Sequence, residues 1–341
     1  MLTPRRETIL KSIVGQYIVQ ATPVPSQSLV NDRELAVSSA TIRNEMLHLE
    51  EDGYIIRPHP SAGGIPSDKG YRFYVDSLND IELPSTEQRL INHLFHQVEW
   101  ELEEWLKLTA TIAAQLVQNM AVVAMSKPAN CRLKHLELVS LRDSLALVVL
   151  VLHGAKLKQQ LITFDQDTSQ MTLTSIANKL NDIYSNLTRP QILAKDIELS
   201  PIEEQIRDCL MKIMQVEDEQ GYEEPYLNGL HFMLNQPEFV QSNRTSALME
   251  LIENRKLFMT VIPDKLDSCQ VNVFIGKENK ATAIHNYSVI FSQHGLSEGV
   301  VVTIGVMGPT RMPYARTIST VDYLSSVLSG LVAELYGHET S

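Results

Sequence analysis

Ser39, Thr41, Arg43 and Asn44 stand close together in the chain and carry the chemistry of nucleobase recognition. A guanidinium donates two parallel hydrogen bonds to guanine, a carboxamide pairs with adenine through two bonds, and hydroxyls beside a helix N-terminus suit phosphate oxygens. A second group follows at His59, Ser61, Gly63, Gly64, Lys69 and Arg72. Here the two glycines would let the backbone approach a phosphate, with polar or cationic neighbours around them. Residue types alone also fit a solvated helix face on a protein-interaction module and a bland surface hairpin. The order of the elements that carry them favours nucleic-acid recognition.

Those elements follow from spacing. Ile9, Ile13, Val14, Tyr17 and Ile18 recur at helical intervals over residues 4–20, with Thr3 as N-cap and Pro4 at the first helical position. Thr22-Pro-Val-Pro-Ser cannot continue that helix, and Ser26 caps a short second one through about Asn31. After a turn over Arg33–Val37, Ser38 or Ser39 caps a third helix to about Asp52, with Ile42, Met46 and Leu49 inward and Gly53 as its stop. Arg43 and Asn44 then project away from the inward stripe. Tyr54-Ile-Ile-Arg-Pro-His reads as a strand and Ser61-Ala-Gly-Gly as a hairpin tip where glycine takes positive φ cheaply; the segment from Ser67 reads as a returning strand or a capped helix, with a helix to about Leu78 favoured. Helix, helix, capped helix, strand and Gly-rich tip make a winged helix-turn-helix over residues 1–80.

Leu83-Pro84-Ser85 reads as a linker. Thr86–Val123 carries an apolar stripe through Leu90, Leu94, Val98, Leu102, Trp105, Leu106, Leu108 and Ile112 and is expected as one long helical region. From Leu133 the period changes to two, giving strands at Leu133–Leu141, Ala146–Leu152 and Leu157–Phe164 in an antiparallel meander. Helical patterns occupy Leu173–Leu187, Pro201–Val216 and Thr245–Leu257. Strands resume at Val271–Ile275, Ala283–Phe291 and Val300–Val306 before a final helix from Tyr314 to Leu335. Strands, then helices, then strands again indicate one domain interrupted by another, so the fold class expected is α+β and multidomain.

With 341 residues, 44% hydrophobic and 21% charged, the composition is that of a globular protein of two or three domains, neither disordered nor membrane-spanning. The most apolar runs, Leu145–Leu152 and Gly299–Met307, are too short to span a bilayer, and the N-terminus lacks an apolar signal core, so the expected location is the cytoplasm. A net charge of −12 argues at first against a nucleic-acid partner. Residues 1–74, however, hold eight Lys and Arg against eight Asp and Glu, so the whole excess lies beyond them and a DNA-binding surface belongs in this first segment.

Two other classes are weighed. A ligand- or metal-gated regulator would need a sensor set, for which His135, His153, Cys131 and Cys269 are candidates; their spacings match no metal template. Cys131, Cys209 and Cys269 read instead as reduced core residues, and no cofactor is expected. An enzyme would need a catalytic motif, and the chain has no Walker loop, HExxH or GxSxG. Met307–Tyr314 reads as the turn into the last helix, with Arg311 a structural donor.

Thr41-Ile-Arg-Asn-Glu-Met, Leu49-Glu-Glu-Asp-Gly-Tyr, Pro58-His-Pro-Ser-Ala-Gly and Pro66-Ser-Asp-Lys-Gly-Tyr-Arg-Phe-Tyr-Val-Asp together resemble the heat-inducible transcription repressor family HrcA. Ile275-Gly-Lys-Glu-Asn and Gly305-Val-Met-Gly-Pro-Thr-Arg-Met-Pro-Tyr extend the resemblance over essentially the whole chain. It implies a negative regulator of heat-shock chaperone operons that binds an inverted-repeat operator, CIRCE, as a homodimer and releases it on heating. A GroEL-type chaperonin is implied as a further partner. It also implies a GAF-like α/β domain with an antiparallel sheet in two segments, 86–165 and 265–341, interrupted by an inserted α+β dimerisation domain at 166–264. One departure stands out: the family's wing motif usually ends Ser-Ala-Gly-Arg, whereas Gly64 follows Gly63 here, which removes a phosphate or minor-groove contact that the resemblance implies.

Overall fold

The computed structural model describes residues 2–30, 37–59, 62–78, 81–98, 101–125, 130–153, 156–219, 225–240, 249, 271–295 and 301–335. Its first helix, α1 (Pro4–Gln20), starts where expected, with the Thr3 side chain accepting from the Arg6 N–H, and stops where Ala21 turns left-handed at φ 53°. The second helix expected from Ser26 is a run of turns over residues 26–30, in which the Ser28 N–H donates to Pro25 O at 3.1 Å. Val24 is held extended in a bridge to Gly64, and Pro25 follows it, so the segment starts with the wrong backbone for a helix. The rest of that expected helix, and most of the turn after it, fall outside the described residues.

Ser38 is the cap of α2 (Ser39–Glu51), accepting from the Thr41 N–H at 3.2 Å. Ile42, Met46 and Leu49 are buried against Ile9, Leu10, Ile13 and Val14 of α1, side chains that each contribute about 1.5–3 kcal/mol by leaving water. A two-stranded antiparallel ribbon follows, β1 (Ile55–Ile56) and β2 (Ile65–Pro66), with Ile55 opposite Pro66. Then comes α3 (Asp68–Asp76), capped by Ser67.

The chain continues with α4 (Ser85–Gln97), α5 (Leu102–Val117), β3 (Met120–Met125), β4 (Leu133–Arg142), β5 (Leu145–Leu152) and β6 (Lys156–Thr163). After these come α6 (Gln170–Tyr184), α7 (Arg189–Leu193), α8 (Pro201–Glu219), β7 (Tyr226–Asn228), α9 (Leu230–Leu234) and α10 (Pro237–Val240). The last elements are β8 (Asn272–Ile275), β9 (Tyr287–Gly295), β10 (Val301–Pro309) and α11 (Tyr314–Leu335). The expected helical region 86–123 is thus two helices and a strand. Val98 turns extended after α4, and Gln118 turns left-handed at φ 54° after α5. Met120–Met125 is buried on both faces, so it shows no alternation and its apolar run reads like more helix. The strand expected at 283–291 begins later, at Tyr287, because Asn279 holds the preceding loop: its side-chain amide donates to Gly276 O at 2.8 Å and to Tyr287 O at 2.9 Å. The helix expected at 245–257 lies almost wholly outside the described residues.

Five strands form one sheet in the order β7-β3-β10-β9-β8, and three form another in the order β4-β5-β6. The fold is therefore mixed α+β, with antiparallel pairing between β3 and β7, β8 and β9, and throughout the three-stranded sheet. Two compact units result: Met1–Ala124, Pro225–Leu296 and Val302–Ser341 make the first, and Met125–Glu224 with Ser297–Val301 the second. The first unit contains the N-terminal helices, the β1–β2 ribbon and the five-stranded sheet, on which α5 and α11 pack. In the second, Leu136, Leu138, Val148 and Leu150 share a core with Leu173, Leu180, Ile206, Leu210 and Met214. The second unit's main segment thus begins at Met125 and ends at Glu224. Strands at 133–163 pair with one another and pack on α6 and α8, and pairing partners are a property that the linear pattern of apolar residues does not report.

Candidate nucleic-acid interface

One face of α2 is a continuous exposed stripe of Ala40, Arg43, Asn44, Leu47, His48 and Glu51. It arises because Ile42, Met46 and Leu49 fill the opposite side, leaving positions spaced by three and four to solvent. Among the described residues, the Arg43 and Asn44 side chains have no hydrogen-bond or ion-pair partner, so their donors are uncommitted. Thr41 Oγ1 lies 3.0 Å from Ser38 Oγ, and Ser39 Oγ lies 3.3 Å from Ser26 Oγ, at the half-buried N-terminal end. Leu47 and His48 share the stripe and were missed in the sequence reading, although their spacing of four from Arg43 and Asn44 was the available signal. His48 Nδ1 is 3.2 Å from Glu51. The helix is fixed to α1 by Arg6, whose Nε donates to Glu45 at 2.8 Å.

The second group of expected contacts is dispersed. His59 is exposed beyond β1, and Ser61 lies outside the described residues. Gly63 and Gly64 are not a hairpin tip, and neither takes positive φ. The Gly64 N–H donates to Val24 O at 2.9 Å and its carbonyl accepts from the Val24 N–H at 3.0 Å, so its backbone is spent on an isolated antiparallel bridge. Gly63 is required by crowding: a Cβ there would lie 2.7 Å from Pro23 C. Lys69 is exposed but donates to Asp52 O at 2.8 Å and stands 4.3 Å from the centre of the Tyr54 ring, closing the C-terminus of α2. Arg72 is committed to the 273–278 segment. It donates to Glu278 at 2.9 Å and to Val273 O at 2.6 Å, and its hydrogen bond to Glu278 is the main cause that raises its pKa.

The residues weighed as sensor ligands are engaged otherwise. His135 Nε2 is 3.4 Å from Glu137, and His153 Nε2 is 2.8 Å from Asn186 Oδ1. Cys131 is buried and its thiol is pushed up to about 12, by burial first and then by its hydrogen bond with Asp218. Cys269 lies outside the described residues. Among the described residues, no group of three or more His, Cys, Asp or Glu could hold a metal ion, and no helix is long and apolar enough to cross a membrane. Arg311 is the structural donor expected, reaching Ile18 O at 3.1 Å and Gln236 at 3.2 Å.

Comparison with known proteins bears on what this surface serves. Residues 103–318 match the family described as HrcA protein C terminal domain. A heat-inducible transcription repressor HrcA of Dehalococcoides mccartyi is 55% identical over 99% of this chain and 98% of its own. The chain belongs to the HrcA family. Its namesake in Roseiflexus castenholzii is 41% identical over 99% of this chain and 96% of its own. A solved structure described only as a hypothetical protein superposes with a TM-score of 0.61 at 19% identity, covering 98% of this chain and 99% of that one, which is a likeness of fold alone. As an HrcA-family member the protein is a heat-inducible transcription repressor and not an enzyme.

Proposed function

We propose that the chain represses heat-shock chaperone operons by occupying an inverted-repeat, CIRCE-type operator as a homodimer, with the exposed stripe of α2 seated in the major groove. The uncommitted Arg43 and Asn44 on a capped, well-anchored helix carry this reading. Arg43 and Asn44 read base edges; Ser39 and Thr41 meet phosphate at the helix N-terminus; His59 approaches the flanking backbone. Leu47, 39% exposed on the same face, suits a thymine methyl. Residues 1–80 then act as a winged helix-turn-helix, and the five-stranded sheet with α5 and α11 as the GAF-like domain.

Pairing of two copies is assigned to the outer face of β4–β6, with a second copy of this chain as its occupant. On that face Leu147 lies between Val139 and Leu161, and Val151 lies opposite Leu157. Leu157 is 61% exposed and Leu161 56%, a costly arrangement for strands unless a partner covers them. The dimerisation domain is thereby moved to residues 125–224 from the span expected in sequence. Two modules held in one dimer bind adjacent half-sites with an effective concentration that neither has alone.

Heat release needs no dedicated sensor, since domains are stable by only about 5–15 kcal/mol and lost fold or pairing empties the operator. A GroEL-type chaperonin restores the active repressor in the cytoplasm, a role resting on the family resemblance. Footprinting of the full chain on a chaperone-operon inverted repeat, beside a chain lacking residues 1–80, tests the proposal. Protection of both half-arms by the full chain alone is expected; equal binding of scrambled duplex would refute it.

A further inference from the structure

The N-terminal module is gripped by the sheet-bearing part of its own unit at two separate points. On α3, Asp68 and Arg72 lie one turn apart on the same face and both hold the turn at 276–278. Asp68 Oδ2 accepts from the Lys277 N–H at 3.1 Å, and Arg72 donates to Glu278 at 2.9 Å and to Val273 O at 2.6 Å. Glu278 is itself oriented by the Ile275 N–H at 2.9 Å. Gly276, at φ 53°, leaves no room for a side chain, because a Cβ there would lie 2.5 Å from Asp68 Oδ1.

The second point is the C-terminus of α1. That helix has no basic residue in its last turn, so its final carbonyls lack a cation from their own segment. Arg311, from the turn before α11, supplies one: it donates to Ile18 O at 3.1 Å while Glu238 and Gln236 hold the rest of its guanidinium. Between the two points Tyr71, 1% exposed, packs 5.8 Å from the Tyr314 ring. One grip would leave a pivot. Two grips on different helices, with aromatic packing between them, fix rotation as well as position.

We infer that the Arg72–Glu278 and Arg311–Glu238 pairs are positioning residues for DNA recognition, which set the direction in which α2 is presented and hence the half-site spacing that a dimer accepts. This inference rests on the function proposed above. In a dimer the distance between two readers is defined only if each module is rigid on its own support; a module on a loose tether accepts many spacings. None of the four side chains needs to touch DNA to act in this way.

The test cuts the acidic partners and leaves both arginines in place. The full-length Glu278→Ala/Glu238→Ala variant is compared with the unaltered protein on operators of native spacing and with the spacer lengthened by about half a turn, ~5 bp. The unaltered protein should prefer native spacing by at least ~10-fold, and the variant by less than ~3-fold, with similar affinity for a single half-site. Glu278→Gln, which keeps side-chain length and one acceptor, should fall between them and guards against a folding defect in the double variant. Undiminished spacing preference in a folded double variant overturns the inference. So does uniformly tighter binding to every duplex with the preference intact, which would mark the freed arginines as phosphate contacts. If the unaltered protein binds no inverted repeat at either spacing, the functional proposal itself fails.

Discussion

Gly63→Ala would set a methyl carbon 2.5 Å from the Val24 carbonyl oxygen and 2.7 Å from Pro23 C. Carbon atoms rest at about 3.5–4.0 Å, so one strand must move by about 1 Å. A displacement of that size parts the Val24–Gly64 pair, whose two hydrogen bonds are 2.9 and 3.0 Å long. Losing both costs about 2 kcal/mol and residual strain about 1–3 kcal/mol, so about 3–5 kcal/mol in all. That is a large part of the about 5–15 kcal/mol of a whole domain. Gly64→Ala, one residue on, meets only the Ile55 Cδ1 and Met46 Cε ends at 3.1 Å. Those tips can turn aside, and the stiffer unfolded chain returns about 0.4–1 kcal/mol, so the net change stays within about 1 kcal/mol. Hydrogen exchange of the Val24 and Gly64 amides in the full chain reads the difference locally. Protection should fall about a hundred-fold or more in Gly63→Ala and hardly at all in Gly64→Ala, and operator release should move to lower temperature in the former only. Equal behaviour of the two variants, or wild-type protection in Gly63→Ala, would refute the packed ribbon and restore a free glycine tip.

Arg43→Ala should cost about 1–3 kcal/mol at one base position per half-site, because the side chain is exposed and uncommitted; a panel of base-substituted operators checks this, and equal loss on all of them would reassign Arg43 to phosphate. Leu161→Glu and Val139→Glu place charge on the outer face of β4–β6 and should turn dimers into monomers in sedimentation without lowering α-helix content; persistent dimers would send the pairing surface elsewhere. Arg6→Ala removes the bond to Glu45 across half-buried surface and should lower stability by about 1 kcal/mol, measured by denaturant titration beside Glu45→Gln and the double variant, in which the two losses should not add. For Cys131 the folded state keeps the thiol proton up to about 12 whereas an exposed thiol releases it near 9.0, so its contribution is intact below 9.0 and is lost as pH rises between these values. Maleimide should therefore label Cys131 only on unfolding, and rapid labelling of the native protein at neutral pH would contradict its burial.

Local chemistry was enough to place the exposed stripe of α2. Thr3, Ser38, Ser67 and Pro4 mark helix starts by a hydroxyl or a missing donor within a few residues, and Ile42, Met46 and Leu49 define an inward face whose complement exposes Arg43 and Asn44. The meander of β4–β6 was legible for the same reason, since one buried face imposes alternation. Tertiary structure decided what depends on residues far apart. Met120–Met125 became a central strand because both its faces are covered, and that burial erased the period that would have named it. Gly64 and Arg72 looked like DNA contacts by type, yet Val24 and Glu278 take them, partners whose identity no local spacing encodes. Side-chain type fixes what a group can bond; only the folded chain fixes which of several equally suitable partners comes within 3 Å of it.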